Sequence, residues 1–189
     1  MNQKRSRAAA EIDWSKGVRK AETEKKSTCK NLRGRSTAEA VLKEKQIVLP
    51  DAPTPRASYL PFLKVGNLVY LSGMGPALNG QLKSVGKVGA DLTLEEAYQA
   101  AWDCGLNLLA QLKSCLGNLE QVKQIVQLKG YVNCTADFKP IPQVINGASD
   151  LMITVFGEKG KHTRCALGAG ALPNNIPVEV EMIVGIYGE

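Results

Sequence analysis

Residues 160–181, GKHTRCALGAGALPNNIPVEVE, predict two strands joined by a turn. Arg164 begins a run of small residues that extends to Gly170. The turn is indicated by Pro173 and the two asparagines that follow it, because these residue types favour tight turns. From Val178 to Met182 apolar and acidic residues alternate, which is typical of a strand with one apolar face.

The same stretch carries the residues with the clearest chemistry. If its two strands pair, Arg164 lies in one small sheet with Glu179 and Glu181. The small side chains after Arg164 would leave space beside the guanidinium, so a fixed cation and a carboxylate could hold a small acidic molecule and orient water against it. The structural alternative is a solvated pair between Arg164 and a glutamate on the neighbouring strand.

The rest of the chain predicts two helices and three further strands. Thr93-Leu94-Glu95-Glu96 is a capping box, after which apolar residues recur at helical spacing until Gly117. A second helix has Pro140 and Pro142 in its first turn and ends at Gly157. The order strand, strand, helix, strand, helix, strand, strand predicts an α+β fold. The strands are expected at residues 60–65, 68–72, 121–132 and 178–187, besides the one that begins at Arg164.

Charge divides the 189-residue chain into two parts. Residues 1–45 hold 13 Lys and Arg against 6 Asp and Glu, a net charge of +7, whereas residues 46–189 hold 11 against 12, a net charge of −1. The first part predicts a disordered or loosely attached extension, with a short helix over residues 37–45; organellar targeting and contact with nucleic acid or a membrane are the alternatives. The second part is the expected domain, and its charge argues against nucleic acid as a partner.

Cysteine and histidine usage limits the chemistry further. The five cysteines are irregularly spaced without a Cys-x-x-Cys pair, which argues against a disulfide framework and a zinc site and favours a reducing, cytoplasmic compartment. His162 is the only histidine, so one chain cannot supply a catalytic histidine pair. No apolar run approaches the ~20 residues of a membrane span.

Several segments resemble one known family. Arg164-Cys165-Ala166, Ala171-Leu172-Pro173 and Val178-Glu179-Val180-Glu181 resemble the C-terminal signature of the reactive intermediate deaminases, the RidA or YjgF family, often labelled endoribonuclease L-PSP. Further segments resemble its YjgF-like endoribonuclease branch: NLVYLSG at 67–73, GKVGADLT at 86–93 and VINGASDL at 144–151. The resemblance implies a chorismate-mutase-like mixed sheet backed by two helices on one face. It also implies a homotrimer with sites in clefts between subunits.

The family's activity, as the resemblance implies it, is hydrolysis of 2-imino or 2-enamino acids to 2-keto acids and ammonia, without a metal or cofactor. Arg164 matches the arginine that binds the substrate carboxylate, and Glu179 matches the glutamate that activates water. Tyr59 matches a tyrosine that lines the pocket, Gly73 the glycine of the Ser-Gly turn, and Asn146 an asparagine of the second helix. For Asn146, plain exposure is the alternative.

Two departures from the family pattern leave other functions open. Ala166 stands where the family has a pocket cysteine, and Cys165 is expected on the other face of its strand. Met74-Gly75-Pro76 replaces the family's Gln-Ile-Pro. A non-catalytic binder of a small carboxylate is therefore the second hypothesis. A ribonuclease is the third, against which the lone His162 and the slightly acidic domain argue.

Overall fold

The computed structural model describes residues 37–55 and 57–188. The predicted order of two strands, helix, strand, helix and two strands is confirmed, and the expected short helix precedes it. The elements are α1 (Ala38–Glu44), β1 (Phe62–Val65), β2 (Leu68–Met74), α2 (Leu94–Leu116), β3 (Val122–Asn133), α3 (Ile141–Phe156), β4 (Thr163–Ala169) and β5 (Val178–Ile186).

The five strands form one mixed sheet in the order β1-β2-β5-β3-β4. Only β3 and β4 run parallel, since α3 connects them and returns the chain to the same end of the sheet. The other neighbours are antiparallel. The predicted α+β class, with helices packed on one face of a mixed sheet, is therefore confirmed.

The expected pairing of the strands at either end of residues 160–181 is wrong. β3 lies between β4 and β5 and bonds to both of them. The turn itself is present, with Asn174 and Asn175 at positive φ, but it belongs to a longer connection that crosses β3. Burial explains the order: alternate residues of β5 are fully buried, which suits a central strand, whereas no residue of β4 is, which suits an edge.

The capping box and a glycine set the two ends of α2. Thr93 accepts from the backbone of Glu96 while the Glu96 carboxylate accepts from the backbone of Thr93, and Gly117 ends α2.

The two faces of the sheet differ in what covers them. Alternate residues of β5 pack against the helices in the core, and Glu179 and Glu181 lie on the opposite face. We call that opposite face the open face of the sheet.

The open face carries apolar side chains that the helices do not cover. Leu63 and Tyr70 are opposite each other on β1 and β2 and are 52% and 42% exposed. They line a groove of about 350 Å³ that extends to Lys129 and Glu181. Exposed apolar surface of this kind is typical of a face that another chain covers.

The short helix α1 packs onto the domain. Ala38 and Leu42 are buried in the core cluster, and the Glu39 carboxylate accepts from Lys113 Nζ at 2.8 Å. The extension expected over residues 1–45 therefore includes a segment, 37–45, that contacts the domain; its remainder lies outside the described residues. Within residues 37–55 and 57–188, no helix combines the length and apolar character needed to cross a membrane.

Gly147 gives a test of the helix packing. A Cβ at this position of α3 would overlap the Tyr98 carbonyl oxygen and the Trp102 nitrogen, which are backbone atoms of α2 and cannot rotate away. Gly147→Ala should therefore lower the free energy of unfolding by about 2 kcal/mol, although alanine is the better helix former. Gly170→Ala, where nothing lies within 4 Å of an added Cβ, is the matched control. Denaturant unfolding measures both, and an unchanged or higher stability for Gly147→Ala would contradict the close helix contact.

Candidate functional site

Arg164 connects the edge of the sheet to α3. It is opposite Leu128 on β3, so its side chain begins on the helix-facing side. Its Nη1 atom donates to Asn146 Oδ1 at 2.7 Å and to Ser149 Oγ at 3.1 Å. Asn146 is therefore a partner of Arg164, and the alternative of plain exposure for this asparagine is wrong.

The rest of the guanidinium remains available. The two hydrogens of Nη1 serve Asn146 and Ser149, whereas Nε and Nη2 have no partner among residues 37–55 and 57–188. These two nitrogens form one edge of the guanidinium, and such an edge binds a carboxylate through two parallel hydrogen bonds. The proposed cross-strand pair of Arg164 with Glu179 or Glu181 is wrong, because β3 separates them.

Ser149 and His162 extend the contacts of Arg164. Ser149 is 7% exposed, and its Oγ lies 3.0 Å from His162 Nε2. His162 Nδ1 lies 2.6 Å from the Gly160 carbonyl oxygen. Because a carbonyl only accepts, Nδ1 donates, and Nε2 of the neutral ring accepts from the Ser149 hydroxyl. Burial lowers the pKa of His162, and the charge of Arg164 acts in the same direction.

We call Arg164, Asn146, Ser149 and His162 the guanidinium half-site. Ser149 was not predicted as a site residue, although it follows Asn146 by three residues, and residues at that spacing share one side of a helix. His162 was noted only as a solitary histidine, since nothing in its spacing connects it to α3.

Glu179 occupies the open face of β5 beside Gly73. It is half-buried, and its pKa is raised by that burial and, to a smaller extent, by the negative charge of Glu181. A Cβ at Gly73 would overlap the Glu179 carboxylate, so a larger residue here would displace that carboxylate from its present position. The register of β2 against β5 also shifts between Leu71 and Met74, around Gly73. Gly73 and Glu179 are therefore brought together.

Tyr59 lies in the loop before β1, one residue from a contact with β2. It is 50% exposed and immediately precedes Leu60, whose carbonyl accepts from Ser72 Oγ at 2.7 Å. We call Tyr59, Gly73 and Glu179 the carboxylate half-site. The other glutamate of β5, Glu181, is 2.7 Å from Lys129 Nζ, which raises the pKa of that lysine. Of the two glutamates on the open face of β5, Glu181 therefore has a lysine partner, and Glu179 has none among the described residues.

One chain keeps the two half-sites apart. Glu179 is opposite Tyr131 and Arg164 is opposite Leu128, with their side chains on different faces of the sheet. Two strand spacings and three residues of offset place their Cα atoms roughly 14 Å apart. The expectation that one small sheet unites Arg164 and Glu179 is therefore wrong for a single chain.

The structure also places the residues that depart from the family pattern. Ala166 is on the same side of β4 as Arg164 and packs against the core, whereas Cys165 is opposite Lys129 on the other side, as expected from strand alternation. Within the described residues, no three His, Cys, Asp or Glu side chains lie together where they could hold a metal ion.

Comparisons with known proteins agree with this architecture. Residues 39–185 match the family model described as "YjgF/chorismate_mutase-like, putative endoribonuclease". Protein TCP17 of Trypanosoma cruzi is 39% identical over 139 residues, which are 73% of this chain and 87% of that protein. A solved protein of unknown function from Agrobacterium tumefaciens is 42% identical, with a TM-score of 0.74 over 79% of this chain and 92% of the other. A solved "putative endoribonuclease" from Shewanella oneidensis is 34% identical, with a TM-score of 0.78 over 80% of this chain and 100% of the other. The chain belongs to the YjgF/chorismate mutase-like family.

Proposed function

We propose that the protein hydrolyses 2-imino or 2-enamino acids to 2-keto acids and ammonia in a cleft between subunits. The observation that carries this proposal is that the Nε–Nη2 edge of the exposed Arg164 has no partner among the described residues, while Nη1 is bonded to Asn146 and Ser149. An exposed, fixed guanidinium edge is what a small carboxylate requires. The match of Arg164 and Glu179 to the family's functional positions supports the same chemistry.

The reaction needs one cation and one base. Arg164 binds the substrate carboxylate, which fixes the position of the adjacent imine carbon. In the iminium form of the substrate, the partner subunit's Glu179 takes a proton from water as the oxygen attacks that carbon, and a neutral carbinolamine forms. The carboxyl group then returns this proton to nitrogen, the C–N bond breaks and ammonia leaves. The hydroxyl oxygen gives its proton to the Glu179 carboxylate as the 2-keto acid forms, and the released ammonia takes up that proton. A raised pKa suits Glu179 to both proton transfers, because a base is most effective when its pKa approaches the working pH.

A second subunit supplies what one chain lacks. Arg164 and Glu179 lie on different faces of one sheet, so a shared substrate requires Arg164 of one subunit to approach the open face of another. The exposed apolar residues of that face also favour burial against a partner. We propose the cyclic homotrimer that the family resemblance implies, with three equivalent clefts.

Binding without turnover is the second candidate, and the isolation of the guanidinium half-site favours it. Arg164, Asn146 and Ser149 could hold a carboxylate even where Glu179 does not reach it. A hydrolysis assay on the purified protein separates the two functions, with 2-imino acids generated in place by an amino acid oxidase. A ribonuclease has less support, since His162 is already bonded at both ring nitrogens.

Arg164 should control substrate binding. Arg164→Ala removes a charge-assisted pair of hydrogen bonds worth ~2–4 kcal/mol, so kcat/KM for 2-imino acids should fall by roughly 30- to 1000-fold. Arg164→Lys should restore little of this, because an ammonium lacks the planar fork. Steady-state kinetics and the melting temperature are measured on the same samples. Unchanged hydrolysis in Arg164→Ala would refute the site.

Glu179 should control turnover and its pH dependence. Glu179→Gln keeps the shape but is no base, so kcat should fall while the affinity for a 2-keto acid changes little. In the unmodified protein, turnover should fall as the pH drops through the raised pKa of Glu179, because the base becomes protonated.

Glu181→Gln is the matched control for Glu179→Gln, since it alters a carboxylate two residues away on the same face. Turnover should be retained. The acid limb of the pH profile should move to lower pH, because the charge of Glu181 no longer raises the pKa of Glu179. A loss of turnover equal to that of Glu179→Gln would show that the wrong glutamate has been assigned.

The proposed cleft also predicts the oligomeric state. Sedimentation equilibrium at micromolar concentration should give three times the mass of the 20.4 kDa chain. A monomer under these conditions would contradict the shared cleft.

A further inference from the structure

We propose that Ser149 and His162 are positioning residues for Arg164, which together hold Nη1 so that the Nε–Nη2 edge faces an incoming carboxylate. The proposal rests on the proposed function for the class of ligand, a small carboxylate, and assigns roles to two residues outside the family's matched positions. Ser149 and His162 touch the guanidinium or each other and need not touch the substrate.

The hydrogen-bond directions in this cluster are fixed by one carbonyl. Gly160 O can only accept, so His162 Nδ1 carries a proton and Nε2 of the neutral ring is an acceptor. The Ser149 hydroxyl, 3.0 Å away, therefore points its hydrogen at Nε2. Its oxygen lone pairs are then directed away from His162, and one of them accepts from Arg164 Nη1 at 3.1 Å.

Burial makes this arrangement specific. Ser149 is 7% exposed, so water competes poorly for its hydroxyl, whereas Arg164 is exposed and its long side chain would otherwise sample many rotamers. Asn146 supplies the second acceptor for Nη1, at 2.7 Å. Two acceptors on Nη1 fix both the position and the orientation of the guanidinium plane. With one acceptor alone, the plane could still rotate about that hydrogen bond.

The neighbours of His162 allow its ring to report on Arg164. β4 contributes the charge of Arg164, α3 contributes the Ser149 hydroxyl, and the turn before β4 contributes the Gly160 carbonyl. Glu158 and Lys161, in the same turn, pair with each other at 2.8 Å. Burial lowers the pKa of His162 most, and the charge of Arg164 lowers it further. A carboxylate bound to Arg164 offsets that charge, so binding should raise the pKa of His162.

Nuclear magnetic resonance tests the arrangement without an activity assay. The chain has one histidine, so its ring signals are unambiguous. Long-range proton–nitrogen correlation at a pH above the His162 pKa should place the proton on Nδ1, and titration with pyruvate should raise that pKa. In the Arg164→Ala variant, the pKa of His162 should be higher before pyruvate is added and should not change when pyruvate is added. A proton on Nε2 in the unmodified protein would overturn the proposal.

A double-mutant cycle tests whether Ser149 acts through Arg164. Ser149→Ala removes one hydrogen bond to a cation and should weaken pyruvate binding by about 5- to 20-fold, while in an Arg164→Ala background it should have almost no effect. His162→Gln can still present an acceptor to Ser149 and should retain more affinity than His162→Asn. Tyr98→Phe is the control, because it breaks a 2.9 Å bond between α2 and Asp150 of α3 in which neither Arg164 nor Ser149 takes part.

The outcomes separate this proposal from the proposed function. If Arg164→Ala weakens pyruvate binding and Ser149→Ala does not, the carboxylate site stands and the positioning role is overturned. If Ser149→Ala weakens binding equally in both backgrounds, Ser149 does not act through Arg164 and the role is also overturned. If pyruvate does not bind at all, the proposed function loses its ligand class. Rotation about the Cζ–Nη1 bond of Arg164, measured by nitrogen relaxation, then decides the positioning role: it should be faster in Ser149→Ala.

Discussion

The insertion of β3 between β4 and β5 determines what this fold can do. Because β3 lies between β4 and β5, it separates Arg164 from Glu179. The register leaves their side chains on different faces of the sheet, since their partners on β3, Leu128 and Tyr131, are three residues apart. The cation is directed toward α3, where Asn146 and Ser149 hold it, and the carboxylate is directed toward the open face, where Gly73 makes room for it. A chain folded in this way keeps the cation and the carboxylate apart, and we propose that a second copy brings them together.

Different interactions organise the two half-sites. The guanidinium half-site is organised by directed hydrogen bonds that leave one edge of Arg164 unpartnered within the described part of the chain. The carboxylate half-site is organised by burial and by the charge of Glu181, which together raise the pKa of Glu179. Lys129 pairs with Glu181, and the pKa of Glu179 stays raised.

Local patterns in the sequence predicted the elements well, because their determinants are local. The capping box at Thr93, the stop at Gly117 and the period-two alternation after Val178 each act within a few residues, and the structure contains each of them. The neighbour of β5 could not be predicted in this way, since strand order depends on which strand buries more apolar surface. His162 was missed for a similar reason: its contact joins the turn before an edge strand to a helix and leaves no spacing signature. Ser149, by contrast, had a local signal in its spacing of three residues from Asn146. Resemblance to the family named Arg164, Glu179, Gly73 and Asn146 as members of one site. The structure places Asn146 beside Arg164 and Gly73 beside Glu179, and one chain keeps these two pairs apart.

The central claim is that one cleft takes Arg164 from one subunit and Glu179 from another, and subunit mixing tests it most directly. Arg164→Ala and Glu179→Gln, each expected to be strongly impaired alone, are unfolded together in equal amounts and refolded. Random assembly into cyclic trimers puts an intact Arg164 against an intact Glu179 in about one quarter of the clefts, so hydrolysis should return to about one quarter of the unmodified level. If both residues served one cleft from the same chain, every cleft would carry one defect. Hydrolysis no greater than that of the two variants measured separately would contradict the shared cleft.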